Sequence, residues 1–296
     1  MPALCYFIPS GWGRLRTGSH PDRARLDAET LLLHVLGKNK AWLLAHADEE
    51  LPDEQAIRFL ALIERRYAGE PIQYITGETE FYGLPFRVTP DVLIPRPETE
   101  HLVEKVIDLA SRIEQPRIVD VGTGSGAIAV ALAKHLTDAF IVATDLSQAA
   151  LEVAELNAGQ NEVWERIRFL HGDLLAPVAG QRFDLIVSNP PYVSTADRAT
   201  LSVEVREHEP ALALFAGDDG LEVYRRLIPA AFAMLVPGGY LALEIGCGQS
   251  PAITELLTTS GFVQIEFVPD LQGIPRVACA QRPQKSFLIV ETAPTA

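Results

Sequence analysis

Apolar residues recur along this chain with two different periods. Before residue 78 they fall at helical spacing, at Leu26, Leu31, Leu32, Leu33 and Leu36 and again at Ile57, Leu60, Leu62 and Ile63, with charged residues between them. That spacing predicts small packed helices over residues 26–74. Beyond residue 117 they form short unbroken runs instead, at 118–121, 140–144, 167–170, 183–188 and 240–245, and each reads as a buried strand. Residues 127–133 and 221–235 read as helices, and 262–268 with 277–280 as an edge pair completing a sheet. The two regions meet at 79–94, where short apolar and aromatic runs around Gly83 and Pro85 predict a β-hairpin linker. Pro97 then opens a helix with Glu98 and Glu100 at its positive end and Leu102, Val103, Val106, Ile107, Ala110 and Ile113 as its buried stripe. The stretch 193–210 is polar and aperiodic, as suits a mobile loop on the substrate side. Residues after Arg282 read as a tail in which Phe287, Leu288, Ile289 and Val290 can add a strand.

The strand runs end in residues with ligand chemistry. Residues 118–121 lead directly into Gly122-Thr123-Gly124-Ser125-Gly126 and then a helix. Glycines permit close backbone approach and a helix N-terminus presents free N–H groups, so this is a ligand cradle. The spacing is G-x-G-x-G, not the G-x-G-x-x-G of dinucleotide sites, and Asp120 before the loop suits an ammonium group better than phosphates. A ligand with a methionine moiety meets both conditions. Asp145, about twenty residues on at the next strand end, is placed to bind two ribose hydroxyls, or else simply opens the following helix. Asp173 and Leu174 follow the third strand, the one able to accept an exocyclic amine and the other to cover a base, though loop polarity alone also explains them. Asn189-Pro190-Pro191-Tyr192 follows the fourth. The prolines fix φ and hold Asn189 extended, so the Asn carboxamide and nearby carbonyls can form a set of acceptors for a planar NH2 group beside the Tyr192 ring. The bland alternative is an ordinary proline turn.

Composition narrows the setting. The 296 residues are 48% hydrophobic, enough for a substantial core in one large or two modest domains, and no stretch reads as a membrane span or a signal sequence. A cytoplasmic location follows. Cys5, Cys247 and Cys279 lack paired spacing and read as free thiols, and the seven histidines lack metal-ligand spacing, so no metal site is expected. The net charge of −14 opposes the broad basic surface of a duplex-binding protein. Arg14, Arg16, Arg23 and Arg25 form a small basic group that reads as a solvated helix face, and Arg96 either pairs with a local acid or braces the pocket.

With those residues in view, the chain resembles the S-adenosylmethionine-dependent methyltransferases of the doubly wound α/β class and, more narrowly, the peptide chain release factor N5-glutamine methyltransferases. The resemblance covers nearly the whole chain. It rests on the glycine loop at 120–126, the Asn-Pro-Pro-Tyr at 189–192, Gly69-Glu70-Pro71-Ile72-Gln73-Tyr74-Ile75-Thr76-Gly77, Ile94-Pro95-Arg96-Pro97-Glu98-Thr99-Glu100, Glu209-Pro210-Ala211-Leu212, Asp219-Gly220-Leu221, Leu243-Glu244-Ile245-Gly246 and Gly273-Ile274-Pro275-Arg276. Many methyltransferases share the glycine loop and several amino-methylating groups the Asn-Pro-Pro-Tyr; the segment at 94–100 is much narrower.

The resemblance implies a mostly parallel seven-stranded methyltransferase sheet (residues 96–296), a small all-helical substrate-recognition domain (1–78) and a hairpin linker (79–95). It implies methyl transfer from S-adenosylmethionine to the side-chain amide nitrogen of the glutamine in the Gly-Gly-Gln loop of class I peptide chain release factors, with no membrane and no direct nucleic-acid substrate. Asp120, Gly122, Thr123, Gly124, Ser125, Gly126, Asp145, Asp173, Leu174 and Asn189 would bind the cofactor. Asn189, Pro190, Pro191 and Tyr192 would bind the substrate, and of these Asn189, Pro190 and Tyr192 would be catalytic. The Asn189 side-chain oxygen and the Pro190 carbonyl would accept the two amide hydrogens, aiming the nitrogen, while Tyr192 excludes water. Bulk water suffices as the proton acceptor, since no His, Glu or Asp adjoins the tetrapeptide in sequence. Two rivals remain: a nucleic-acid exocyclic-amine methyltransferase that flips an adenine into the same cradle, and a non-catalytic nucleotide-binding interaction protein.

Overall fold

The computed structural model describes residues 2–284. The chain opens with α1 (Phe7–Leu15), α2 (Ala24–Leu36), α3 (Lys40–Ala45), α4 (Asp53–Tyr67) and α5 (Ile72–Thr76). Their shared core holds Leu4, Phe7, Leu31, Leu32, Phe59 and Ile63. Helix α1 begins well before the predicted helical region, despite Gly11, Gly13 and Pro9 in its sequence. Packing decides it: a Cβ on Gly11 would stand 2.9 Å from both Ile63 and Phe59, so glycine allows the close approach that helix propensity alone opposes. The basic group does face solvent, and Arg14 there makes a two-point ion pair with Glu64 at 2.8 and 2.7 Å.

The hairpin is shorter than predicted. Strands β1 (Glu78–Phe81) and β2 (Leu84–Arg87) pair antiparallel around Tyr82-Gly83, after which Val88, Val92 and Ile94 fold back as a loop against Tyr74, Ala150 and Val153. A 3-10 turn, Pro97–Thr99, leads into α6 (Glu100–Ala110).

There follow β3 (Arg117–Val121), α7 (Ala127–His135), β4 (Phe140–Asp145), α8 (Gln148–Gln160), β5 (Ile167–His171), β6 (Phe183–Ser188), α9 (Val203–His208), α10 (Ala211–Leu214), α11 (Glu222–Met234), β7 (Leu235–Glu244), α12 (Ser250–Thr259), β8 (Val263–Pro269) and β9 (Pro275–Gln281). Seven strands form one sheet in the order β5-β4-β3-β6-β7-β9-β8, parallel from β5 through β7 and antiparallel at the β9 pairings. Alternate residues of one strand enter opposite cores. Ile118 packs with α6 and α7, through Leu102, Val106, Ile128 and Leu132, while Val119 and Val121 pack with α11 and α12, through Tyr224, Leu227, Ile253 and Leu257. Burial on both faces is why these strands read as unbroken apolar runs.

Strand β7 starts five residues before its predicted position. An irregularity lets Phe183 pair Leu235 and Leu185 pair Tyr240, which absorbs Pro237-Gly238-Gly239. The stretch 193–210 is also more ordered than its polarity suggests: it contains a 3-10 segment, Thr195–Thr200, and α9, and it is tied down by Arg66–Glu204 and Arg96–Glu209 ion pairs. The residues expected to add a strand near Phe287 lie outside the described residues.

Asn157 joins hairpin and sheet. Its fully buried carboxamide accepts the Arg87 backbone N–H at 2.7 Å and donates to the carbonyls of Arg87 at 3.0 Å and Ser125 at 2.8 Å. Removing it leaves the buried Ser125 carbonyl unsatisfied, at about 1–3 kcal/mol, and takes away the partly buried bonds to the Arg87 backbone. Asn157→Ala is therefore expected to cost about 2–4 kcal/mol in urea unfolding, while Leu156→Ala on the exposed face of α8 stays within about 0.5 kcal/mol. A loss below about 1 kcal/mol for the Asn157 variant would show that this bridge does not hold the loop.

Candidate active site

The parallel pairing of β3 with β6 sets Asp120 opposite Val187, so the glycine loop and Asn189-Pro190-Pro191-Tyr192 leave the sheet side by side. The Ser188 hydroxyl locks the two strand ends by donating to the Val121 carbonyl at 2.6 Å, fully buried. In front of them lies a cavity of about 460 Å³, within the range of small-ligand sites. Gly122, Thr123, Gly124, Ser125, Asp145, Asp173, Leu174, Asn189 and Pro191 all line it. Asp120, Gly126, Pro190 and Tyr192 are not among the residues that line it.

The three glycines serve two purposes. Gly122 and Gly124 have φ of +73° and +55°, and a Cβ on either would meet open space, so their bare backbone faces the cavity. Gly126, at φ +80°, would drive a Cβ to 3.0 Å from Ala154, so it permits α7 to pack on α8. Only the first two face the cavity. Asp145 shapes the same loop. One of its oxygens accepts the Gly124 N–H and the other the Ser147 N–H, both at 2.8 Å, leaving a lone pair on each for two further donors.

Asp120 is wholly buried beneath the loop. Its Oδ2 accepts the Thr123 hydroxyl at 2.6 Å, while Oδ1 has no hydrogen-bond partner among the described residues. Burial pushes its carboxyl up to about 7, and the neighbouring Asp145 charge adds to the rise, whereas the Thr123 and Ala129 hydrogen bonds counter it. A cation would relieve that site.

Asp173 already has a partner, Arg226 of α11, which also lines the cavity and which sequence reading missed. A base amine would share this carboxylate with the guanidinium. Leu174 adopts φ +48°, the left-handed region, and its carbonyl accepts the Thr144 hydroxyl at 2.9 Å, which holds the side chain at the cavity wall. Arg96 resolves as a brace: one of its amino groups meets both oxygens of Glu209 at 2.6 Å across the cavity rim.

Asn189 is half-buried, and its amide NH2 donates to the Thr99 hydroxyl at 3.1 Å. Thr99 in turn donates to Glu244 Oε2 at 2.6 Å, so a chain of two hydrogen bonds links Asn189 to that carboxylate. With its NH2 committed inward, the Asn189 side-chain oxygen is the atom left for an outside donor. The tetrapeptide is clamped from behind by Gln249, whose amide donates to the Tyr192 carbonyl at 3.1 Å and the Gly220 carbonyl at 3.3 Å and accepts the Gly246 N–H at 2.9 Å. Gly220 has to be glycine here, because a Cβ would stand 2.3 Å from the Tyr192 carbonyl oxygen. Burial, with the Glu244 charge, pushes the Tyr192 phenol up to about 12, so it stays neutral. An acid thus does adjoin the tetrapeptide in space. A Glu closing a buried strand was the same signal as Asp145 closing β4, yet nothing in the sequence pairs it with residues 99 and 189.

Comparison with known proteins agrees with this architecture. Residues 12–77 match the family model described as PrmC N-terminal domain, and 99–207 match that of the Methyltransferase small domain. The release factor glutamine methyltransferase of Moorella thermoacetica is 47% identical over 262 residues, covering 88% of this chain and 92% of the relative. That of Bradyrhizobium diazoefficiens is 46% identical over 274 residues, 91% of each chain. A solved methyltransferase from Pyrococcus furiosus superposes with a TM-score of 0.51 at 20% identity, over 69% of this chain and 91% of that one, which shows a shared fold. Near-half identity across nearly the full length of such relatives establishes that the chain belongs to the release factor glutamine methyltransferase family.

Proposed function

We propose that this chain methylates the side-chain amide nitrogen of the glutamine in the Gly-Gly-Gln loop of class I release factors, in the cytoplasm, with S-adenosylmethionine as donor. The observation that carries the reading is the inward anchoring of the Asn189 NH2, which presents Oδ1 as an acceptor beside a cofactor-sized cavity.

The residues present fit the cofactor. Gly122 and Gly124 offer bare backbone, Asp145 has two lone pairs left for ribose hydroxyls, and Asp120 Oδ1, without a hydrogen-bond partner among the described residues, suits an ammonium group. When bound, S-adenosylmethionine supplies a methyl group activated by a sulfonium. The protein's part is then orientation. An amide nitrogen is a poor nucleophile because its lone pair is delocalised, so Asn189 Oδ1 and the Pro190 carbonyl hold its two hydrogens and stabilise charge growing on nitrogen. The new N–C bond would form as the methyl's bond to sulfur breaks, leaving a neutral thioether, and one of those protons would pass to water afterwards. Tyr192, neutral and wedged by Gln249, walls the substrate side chain from solvent. We take residues 1–78 as the part that recognises the release factor, and the net charge of −14 speaks against a nucleic-acid substrate.

With labelled cofactor and purified release factor, RNA and DNA offered side by side, label is expected in the release factor alone. Asn189→Ala should lower that transfer roughly 10²-fold or more with cofactor affinity changed by less than about threefold; near-normal turnover would refute the role given to Asn189. Cofactor binding should also depend on pH through Asp120. Folding raises this carboxyl to about 7, so its contribution to the stability of the unliganded protein is complete below the unfolded pKa near 4 and is lost as pH rises through about 7. An ammonium group prefers the ionised form, so binding of S-adenosylhomocysteine should tighten roughly fivefold or more between pH 6 and 7.5, and Asp120→Asn should flatten the dependence. Equal calorimetric affinities for the unaltered protein at the two pH values would exclude an Asp120–ammonium contact.

A further inference from the structure

Glu244 closes β7 with its carboxylate buried to 2% exposure. It receives a hydrogen bond from the Thr99 hydroxyl, 145 residues away in sequence, and that hydroxyl in turn accepts from the Asn189 amide. Neither Thr99 nor Glu244 has a part in the methyl transfer proposed above. Burying a carboxylate is costly, so its presence beside the reacting site calls for a reason.

The hydrogen-bond directions supply one. An ionised carboxylate only accepts, so the Thr99 hydroxyl hydrogen is committed to it. The remaining Thr99 lone pairs can then only accept, and the Asn189 group facing them must be the NH2. Its oxygen is thereby turned outward. With the carboxyl protonated, Glu244 becomes a donor, the Thr99 hydroxyl is released to rotate, and the Asn189 amide can flip. The flipped amide would set NH2 against the NH2 of the substrate, donor against donor.

We propose that Thr99 and Glu244 are positioning residues for methyl transfer: the ionised Glu244 carboxylate, acting through the Thr99 hydroxyl, sets which face of the Asn189 amide meets the substrate nitrogen. This rests on the role given to Asn189 above. The other charged or titratable groups around Glu244 are Glu98 from the Pro97–Thr99 turn, Arg276 from β9, Tyr192 from the tetrapeptide, and Tyr224 from α11, whose hydroxyl donates to the Glu244 carbonyl at 2.7 Å. Burial dominates them and raises the carboxyl to about 7; Glu98 adds to the rise, while Thr99, Arg276 and Asn189 oppose it.

The test follows kcat across pH 5.5 to 8.5 at saturating S-adenosylmethionine and release factor, where the ionisation of Asp120 no longer enters through binding. Since the ionised form is the active one, kcat should climb about tenfold per pH unit below about 7 and level off above it. Thr99→Val and Glu244→Gln should lower the plateau about tenfold or more, leave S-adenosylhomocysteine affinity within about twofold, and flatten the rise. Thr99→Ser, which keeps the hydroxyl, should restore both plateau and limb. A flat profile for the unaltered enzyme overturns the proposal without recourse to any variant, as does full kcat for Thr99→Val or an intact limb for Glu244→Gln. Asn189→Ala separates the two readings: full activity in that variant defeats the role of Asn189 itself, whereas a strong loss there beside normal Thr99→Val and Glu244→Gln defeats only the positioning.

Discussion

The parallel ladder between β3 and β6 is the constraint on which the rest depends. Strand order reverses there, since β4 and β5 run outward on one side and β7 on the other, and a doubly wound sheet opens a crevice at the carboxyl ends of the strands at such a point. The crevice is therefore a product of topology before any side chain is considered. Ser188 pins the two strand ends together, and the glycine loop and the Asn-Pro-Pro-Tyr segment diverge from that pin to form the two walls. A register slip of one residue would turn Asp120 and Asn189 away from their present positions, because successive residues of a strand point to opposite faces.

Two buried carboxylates lie on the strands either side of β6. Asp120 lies near the end of β3 and Glu244 ends β7, one strand away from β6 on either side, and burial drives both up to about 7. Their hydrogen-bonding differs. Glu244 is hydrogen-bonded to Thr99, which accepts from Asn189, whereas Asp120 has one oxygen without a hydrogen-bond partner among the described residues. In both cases a low-dielectric setting makes a single charge strong enough to dictate orientation, and makes it costly when unpaired.

The helical region is joined to the catalytic side by long-range charge pairs. Arg66 of α4, only 3% exposed, meets Asp27 at 2.6 Å and reaches Glu204 of α9, and Arg96 holds Glu209 just after it. Buried pairs of this kind contribute little net stability after desolvation, but they leave few alternative arrangements. Their effect is to fix the segment after Tyr192, which forms one rim of the cavity through Pro210, Leu212 and Ala213.

Much of the fold was legible because burial on both faces writes unbroken apolar runs into parallel strands, and β3 to β6 appeared within a residue or two of their limits. Helices α8 and α12 were not, since their buried faces are narrow and broken by polar residues such as Asn157, whose bonds run to Arg87 and Ser125. Most of the cavity-lining residues named above, from Gly122 to Asn189, were legible as residues closing strand runs, a local signal. What the sequence determined by itself was therefore the set of strand ends and the chemistry each carries. Only the tertiary structure decided which ends meet, that Gly126 serves packing while Gly122 and Gly124 face the cavity, and that Thr99, Glu244, Gln249 and Arg226 join the site. Those residues are brought in by pairings that span up to 145 positions, and such pairings depend on strand order and helix docking, which leave no periodic trace along the chain.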